Sequence, residues 1–206
     1  VRADGRTGVG GVLEELGEGR KAEVDASLFE VTGVDLFEDA NSFVGGNLEG
    51  DLILVEFVDD RCGYCRKAHD EVAQLIEADG NIRYIIKEFP ILGDASELAS
   101  RFAIAVKIVG GEAAYKVAHD TLMEFRGEMT NDSLGRLATS LGLSAADITV
   151  TMNSAEVNQI INDNRLLGQA MQITGTPTFV VQDQMLRGYV PQAQMAQVVA
   201  RVREQG

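Results

Sequence analysis

The sequence has little that would mark it as a membrane, nucleic-acid-binding or disulfide-stapled protein. Its longest apolar runs, such as residues 52–58, have the length of a strand and fall well short of the roughly 20 residues of a membrane helix. Lysine and arginine number 18 against 32 acidic residues, and the formal charge of −14 repels phosphate backbones. With 45% hydrophobic residues, the chain can form a stable core without disulfides or structural metal ions. Its 206 residues suit one domain, or one domain with an insertion.

The first 41 residues differ in composition from the rest of the chain. They are rich in glycine, glutamate and arginine, and their apolar clusters are short. We predict an N-terminal arm over residues 1–41, either loosely ordered or an amphipathic segment used for oligomerisation. The chain begins without a methionine and without the apolar stretch of a secretion signal, so we expect a processed protein.

The remaining sequence predicts an α/β protein. Strands are predicted from short apolar runs bounded by turn residues, and helices from apolar stripes at helical spacing. A long block of such stripes lies between the second strand and Pro177. In chain order the predicted elements are a strand at 51–58, a helix at about 62–78, a strand at 82–89, the helical block, strands at 178–181 and 185–189, and a helix opened by Pro191.

Both cysteines lie in one motif, Cys62-Gly63-Tyr64-Cys65, where the first strand gives way to a helix. A disulfide across two residues constrains the unfolded chain little, so this pair is suited to opening and closing. The unpaired N–H groups at a helix N-terminus favour a thiolate at Cys62. Cys65, one turn deeper, is then the thiol that resolves a mixed disulfide. Gly63 leaves the first sulfur accessible, and Tyr64 lines its approach.

The charged residues near Cys62 act in opposite directions. Arg61 favours a thiolate, whereas Asp59 and Asp60 oppose it, and the outcome depends on where these side chains point. Glu56 interrupts the preceding strand, and a carboxylate buried there costs free energy unless it is paired or neutralised.

A zinc site is the main alternative for the two cysteines, because zinc proteins also use Cys-x-x-Cys motifs. A structural zinc ion needs about four ligands, and the histidines available are His69 and His119. We expect each of them to be a helix-surface residue instead.

Thr176-Pro177, just before a strand, is the second sequence feature, after the cysteine motif, that indicates a functional site. An X-Pro bond adopts the cis form at modest cost, and a cis proline beside the cysteine helix would expose the Thr176 backbone to an extended substrate chain. Alone, the dipeptide is more typical of an ordinary strand start. Its place before a strand, strand and helix favours the substrate site.

From about residue 36 onward the chain resembles the thioredoxin superfamily, and within it the DsbA-like bacterial proteins. The matching segments are Val55-Glu56-Phe57, Cys62-Gly63-Tyr64-Cys65-Arg66-Lys67, Lys87-Glu88-Phe89-Pro90, the helical block and Gly175-Thr176-Pro177-Thr178-Phe179. This resemblance implies a thioredoxin fold with an inserted all-helical domain. The thioredoxin-fold domain would comprise residues 42–93 and 175–206, and the insertion residues 94–174.

The resemblance also implies roles for individual residues. The peptide before Pro177 would be cis and lie opposite the cysteines. Glu56 and Lys87 would form a partly buried pair behind Cys65 that carries protons as Cys65 acts, unless the pair is purely structural. Asp60 departs from the family pattern, which often has an aromatic residue there, and its charge would weaken the thiolate.

The function implied is thiol–disulfide exchange with extracytoplasmic proteins in a bacterial periplasm. A membrane redox partner of DsbB or DsbD type would serve it, and no metal or organic cofactor is expected because the sulfur pair stores two electrons. Gly63-Tyr64 and Thr176 resemble DsbC-type isomerases, which, like ScsC proteins, carry N-terminal oligomerisation segments, so oxidase and isomerase both stay open. The alternative is a non-catalytic zinc-binding or peptide-binding chaperone module.

Overall fold

The computed structural model describes Ser27 and residues 32–205, whose core is a mixed sheet of five strands. The strand order is β1-β3-β2-β4-β5, with β2 and β3 parallel and the other neighbours antiparallel. The elements are β1 (Phe43–Gly46), β2 (Leu52–Val58), α1 (Gly63–Asp79), β3 (Ile82–Glu88), α2 (Asp94–Glu124), α3 (Asn131–Ser140), α4 (Ala145–Met152), α5 (Ala155–Ala170), β4 (Thr178–Val181), β5 (Gln184–Arg187) and α6 (Gln192–Gln205).

Alternation along β2 and β3 gives the sheet two faces with different partners, because successive side chains of a strand point to opposite sides. One face, here called the α1 face, packs against α1 and α2. The other, the opposite face, packs against α5 and the segment before β1. Both strands are almost completely buried, which explains why they read as continuous apolar runs.

The opposite face is covered in part by residues that the sequence boundary assigned to the N-terminal arm. Leu36 and Phe37 are fully buried there, against Phe57 and Ile85 of the sheet. A boundary at residue 41 therefore cuts through packed chain. The remainder of the predicted arm lies outside the described residues, and its role in oligomerisation stays a prediction.

Helix α1 begins at the cysteine motif and ends at a glycine. Cys62 is its N-cap residue, with extended backbone angles and no side-chain cap. Gly80 follows its last residue at φ 71°, a left-handed conformation that glycine adopts without steric cost, and its N–H donates to the carbonyl of Ile76. The helix buries Cys65, Ala68, Val72 and Leu75 against the sheet.

The helical block between β3 and β4 consists of α2 to α5. Gly111, at φ 80°, breaks α2 into two helical stretches. Ser144 and Ser154 cap α4 and α5 through their side-chain oxygens, as their preference for N-cap positions predicts. None of the described helices has the combination of length and apolar character needed to cross a membrane.

Candidate active site

Cys62 is held at the end of β2 by a tight loop. Its backbone N–H donates to the carbonyl of Asp59 (2.9 Å), and its own carbonyl accepts from Arg66 in the first turn of α1. Little of its side chain is exposed (7%), and Cys65, one turn deeper, is more completely buried (1%). A Cβ added at Gly63 would meet no atom within 4 Å, so the space beside the first sulfur is open.

The two thiols have opposite acidities. The pKa of Cys62 is lowered from 9.0 to about 5, above all by a hydrogen bond from Cys65, with further contributions from Thr176 and the N–H groups of Cys65 and Tyr64. The pKa of Cys65 is strongly raised, first by burial, then by its bond to Cys62 and by the charge of Glu56. At neutral pH the pair therefore holds one thiolate, on Cys62, and one thiol, on Cys65.

Two of the neighbouring charged side chains, Asp59 and Arg61, are engaged by backbone groups. Both carboxylate oxygens of Asp59 accept backbone N–H groups, Oδ1 from Arg61 (2.9 Å) and Oδ2 from Ile91 (2.9 Å) and Leu92 (3.2 Å). The Arg61 guanidinium reaches the carbonyl of Phe125 (3.4 Å). The low pKa of Cys62 thus arises from hydrogen bonds at the helix N-terminus rather than from Arg61.

The loop before β4 lies directly against Cys62. The Thr176–Pro177 peptide bond is cis, and the Thr176 carbonyl oxygen is 3.3 Å from the Cys62 sulfur. Pro177 is buried, and its carbonyl accepts the N–H of Gly188. The structure therefore brings together Cys62, Cys65 and Thr176, which lie 114 residues apart between first and last.

Glu56 lies on the α1 face, where its carboxylate accepts a short hydrogen bond from the Tyr84 hydroxyl. Burial raises its pKa, against the hydrogen bond from Tyr84, which lowers it. Its charge is among the causes that raise the pKa of Cys65, so the protonation states of the two groups influence each other.

The expected pair between Glu56 and Lys87 is not formed. Glu56 is opposite Ile86 in the β2–β3 register, and Lys87 is opposite Phe57, so the two side chains point to different faces of the sheet. Lys87 instead donates to Asp39 Oδ2 (3.0 Å) and Ser42 Oγ (3.1 Å) on the opposite face. Lys87 thus belongs to a buried ion pair away from the cysteines.

Sequence reasoning missed a cluster of three buried titratable side chains. His119 Nδ1 is 3.0 Å from Asp60 Oδ1, and Glu88 accepts hydrogen bonds from Tyr115 (2.6 Å) and Ser100 (2.7 Å). Asp60, Glu88 and His119 come from three different segments, so no motif unites them. A local signal existed: His119 falls four residues after Tyr115 and three before Leu122, the spacing of side chains that share one buried helix face.

The expectation that both histidines lie on helix surfaces is wrong. His119 is fully buried, and burial lowers its pKa. His69 is partly buried and contacts Asp120 (3.0 Å), and its ring lies 5.3 Å from that of His119.

A zinc site that uses the cysteines does not assemble in the described part of the chain. There the groups of histidine, cysteine and acidic residues whose ligand atoms converge within 4.8 Å comprise one set, Asp60, Glu88 and His119. The atoms of this set already face one another and the donors of Tyr115 and Ser100.

Comparison with known proteins identifies relatives of the whole arrangement. Residues 53–200 match the DSBA-like thioredoxin domain. A thioredoxin-like oxidoreductase from Silicibacter pomeroyi DSS-3 is 38% identical, with a TM-score of 0.77 over 83% of this chain and 97% of that one. The thiol-disulfide exchange protein alpha-DsbA2 from Wolbachia pipientis is 27% identical, with a TM-score of 0.75 over 90% of this chain and 99% of that one.

A curated relative is much longer. The Na(+)/H(+) antiporter NhaA 1 of Salinispora arenicola is 30% identical over 142 residues, which are 67% of this chain and 21% of the antiporter. The chain therefore spans about a fifth of that relative's length.

The prediction of a thioredoxin fold with a helical insertion is confirmed.

Proposed function

The chain belongs to the DsbA-like thioredoxin family, and on this basis we propose that it is a thiol–disulfide oxidoreductase working through Cys62 and Cys65. The observation that carries the proposal is the asymmetry of the two thiols across one helical turn, with the pKa of Cys62 lowered to about 5 and that of Cys65 raised. A structural pair of cysteines needs no such asymmetry. An exchange reaction needs one reactive thiolate and a second thiol that resolves the mixed disulfide.

The reaction follows from the accessibility of the two sulfurs. A client thiolate attacks Cys62 Sγ of the oxidised pair, and Cys65 leaves and takes up a proton. A second client thiolate then attacks the client sulfur of the mixed disulfide, and Cys62 leaves as the thiolate that its environment stabilises. Two electrons pass from the client to the sulfur pair, the client gains a disulfide, and no organic cofactor or metal takes part.

Glu56 supports the proton transfer at Cys65. Its charge acts on that thiol, and its carboxylate accepts a hydrogen bond from the hydroxyl of Tyr84. A buried carboxylate with a raised pKa can accept the proton when Cys65 attacks a mixed disulfide and return it when Cys65 leaves. Lys87 has no part in this step, because it lies on the other face of the sheet.

The client chain binds beside Thr176. Tyr64, a large side chain within the cysteine motif, is 64% exposed. Leu92, whose backbone N–H donates to Asp59, is a large apolar side chain that is 57% exposed. An extended segment with reduced cysteines can contact these side chains and pair with the Thr176 backbone. Such segments are exposed in proteins that have not finished folding.

A low pKa at Cys62 favours oxidation of clients over their reduction. Stabilising the thiolate stabilises the reduced pair, and a stable reduced form makes the disulfide a stronger oxidant. We place the protein in an extracytoplasmic compartment such as the bacterial periplasm, where client disulfides persist, with a membrane protein of DsbB or DsbD type restoring its redox state. An isomerase role would require the pair to be kept reduced.

The test is an equilibrium with graded glutathione buffers, read by mass after alkylation of free thiols. We expect Cys62 and Cys65 to appear and disappear together as one two-electron pair. In the matched variants, Cys65→Ser should accumulate a mixed disulfide with glutathione, and Cys62→Ser should accumulate far less because its remaining thiol is buried. A pair that never forms a disulfide, or that a bound zinc ion protects, would refute the proposal and favour the non-catalytic module.

A further inference from the structure

Asp60, Glu88 and His119 form a buried cluster at the boundary between the sheet and the helical block, here called the acid–histidine cluster. Asp60 lies in the loop after β2, Glu88 ends β3, and His119 lies in α2. Each side chain is at least nine-tenths buried. Burial disfavours the charged form of each of these three groups, so the protonation of one depends strongly on the charges of the other two.

The contacts within the cluster indicate a shared proton. Asp60 Oδ1 is 3.0 Å from His119 Nδ1, while Asp60 Oδ2 has no hydrogen-bond donor among the described groups unless the neighbouring Glu88 carboxyl carries a proton. Glu88 is itself fixed by the hydroxyls of Tyr115 and Ser100. Burial raises the pKa of both carboxyl groups, and the charge of Asp60 raises that of Glu88 further, so the pair binds a proton more tightly than exposed carboxylates do.

The cluster is close to the reactive sulfur. Asp60 precedes Cys62 by two residues, which places their Cα atoms no more than about 7.6 Å apart. Even at about 12 Å, the furthest that both side chains reach from these Cα atoms, two unit charges at an effective dielectric constant of about 20 shift each other's pKa by about one unit. A thiolate that forms at Cys62 therefore raises the affinity of the cluster for a proton.

We infer that the acid–histidine cluster takes up a proton when the Cys62–Cys65 disulfide is reduced, and that Asp60 thereby sets how strongly the disulfide oxidises other thiols. This inference rests on the proposed function. Reduction by two thiols delivers two electrons to the sulfur pair and one proton to Cys65, and the cluster takes a second proton from solvent. Asp60 touches neither sulfur nor client, so it is a positioning residue.

The surroundings of Asp60 agree with this role. Its pKa is raised to about 7, first by burial and then by the charge of Asp59. The titratable and charged groups that act on the cluster come from every element packed around it: Glu56, Asp59, Arg66, His69, Glu88, Tyr115, His119 and Asp120.

The cluster has a route for exchanging protons with water. His119 and His69 line the same cavity, which has a volume of about 280 Å³ and is also lined by Tyr84. His69 contacts Asp120, whose side chain is 40% exposed. His119 therefore borders a cavity beside the partly exposed pair of His69 and Asp120, through which the cluster exchanges protons with solvent.

The test compares Asp60→Asn with the unchanged protein in glutathione buffers from pH 5.5 to 8.5. At pH 5.5 the cluster is protonated in both redox states, so the two equilibrium constants should agree. At pH 8.5 the ionised cluster of the unchanged protein opposes the Cys62 thiolate, so the variant should be about tenfold more oxidising, or about 30 mV. Both proteins experience the same titration of glutathione, so their ratio isolates the cluster.

Two further variants separate this role from a structural one. Glu156→Gln removes an exposed carboxylate from α5, away from the cavity that His119 lines, and should leave the pH profile unchanged. His119→Leu removes the ring nitrogen that contacts Asp60 Oδ1, so the midpoint of the pH profile should move to higher pH. His119→Gln, whose amide can still hydrogen-bond there, should largely restore that midpoint. If Asp60→Asn does not fold, the shift between the two His119 variants decides the matter.

Each other outcome overturns the inference. Parallel profiles for Asp60→Asn and the unchanged protein, or the same change in Glu156→Gln, would show that the cluster holds no redox-linked proton. A divergence that EDTA abolishes would assign the cluster to a metal ion instead. If the cysteines fail to equilibrate with glutathione at all, the proposed function falls as well, and this result is distinct from parallel profiles in a working protein.

Discussion

The two faces of the sheet treat buried charge differently, although they are separated only by the thickness of β2 and β3. On the opposite face, Lys87 forms an ion pair with Asp39 and donates a hydrogen bond to Ser42. On the α1 face, Glu56 has no cation among its hydrogen-bond partners, and its pKa is raised. A paired charge holds its protonation state and supports structure, whereas an unpaired one beside a thiol is free to exchange a proton.

The largest effect should come from breaking the ion pair on the opposite face. Lys87→Met leaves Asp39 poorly solvated and without its cation, and removing one partner of a buried pair costs about 3–5 kcal/mol in the free energy of unfolding. Urea denaturation measures this loss. The equilibrium with glutathione should change less than twofold, because Lys87 faces away from the cysteines.

The control for that variant is Lys87→Met combined with Asp39→Asn. Neutralising the orphaned carboxylate should recover part of the lost stability. A strong redox effect of Lys87→Met in a protein that still folds would restore the original idea of a proton-carrying pair with Glu56.

The next effect is a pH dependence confined to the α1 face. The folded pKa of Cys62, about 5, is depressed below its ordinary value of 9.0, so its thiolate stabilises the folded reduced protein. This contribution is complete above pH 9, shrinks as pH falls and is lost below about pH 5. Between pH 7.5 and 5, the stability advantage of reduced over oxidised protein should fall on the order of 1–2 kcal/mol, after allowance for solvent screening.

Denaturant unfolding of both redox forms measures this difference, and the reduced Cys62→Ser protein is the control, because its stability lacks the thiolate contribution. An advantage of the reduced form that grows toward acid would mean that Cys62 is not the ionised thiol. Cys65 adds little near neutral pH, because its pKa is raised in the folded protein and is the ordinary 9.0 in the unfolded chain, so the thiol is protonated in both states.

A smaller effect is expected at the unpaired carboxylate. Glu56→Gln removes the group that accepts the proton of Cys65, so decay of the mixed disulfide should slow by about tenfold. Rapid acid quenching and mass analysis follow this step. Tyr84→Phe keeps the carboxylate and removes only its hydrogen bond, so it should decay faster than Glu56→Gln; equal rates in all three proteins would assign Glu56 a purely structural part.

Much of this arrangement could be predicted because its signals are local. The apolar run of β2, the helical spacing after Cys62 and the strand after Pro177 each lie within one short window. Strand β1 was missed because Phe43–Gly46 is short and half glycine, and it is defined by pairing with β3 rather than by its own pattern.

The faces of the sheet could not be predicted in the same way. Whether Glu56 meets Lys87 depends on the register of β2 against β3, and a shift of one residue reverses the face of every side chain. Contacts of Asp60 with His119 join segments 59 residues apart, and no local pattern reports such a distance.

The smallest effects give the sharpest comparison, because each face has a buried serine bonded to a carboxylate. Ser42 Oγ donates to Asp39 Oδ2 (2.7 Å), and Ser100 Oγ donates to Glu88 Oε2 (2.7 Å). Ser42→Ala and Ser100→Ala should each cost about 1 kcal/mol in the free energy of unfolding. Only Ser100→Ala should also shift the midpoint in the pH dependence of the equilibrium constant with glutathione, since only Glu88 belongs to the acid–histidine cluster. If Ser42→Ala shifts that midpoint as well, protonation on the two faces is coupled through the sheet, and the division drawn between them is wrong.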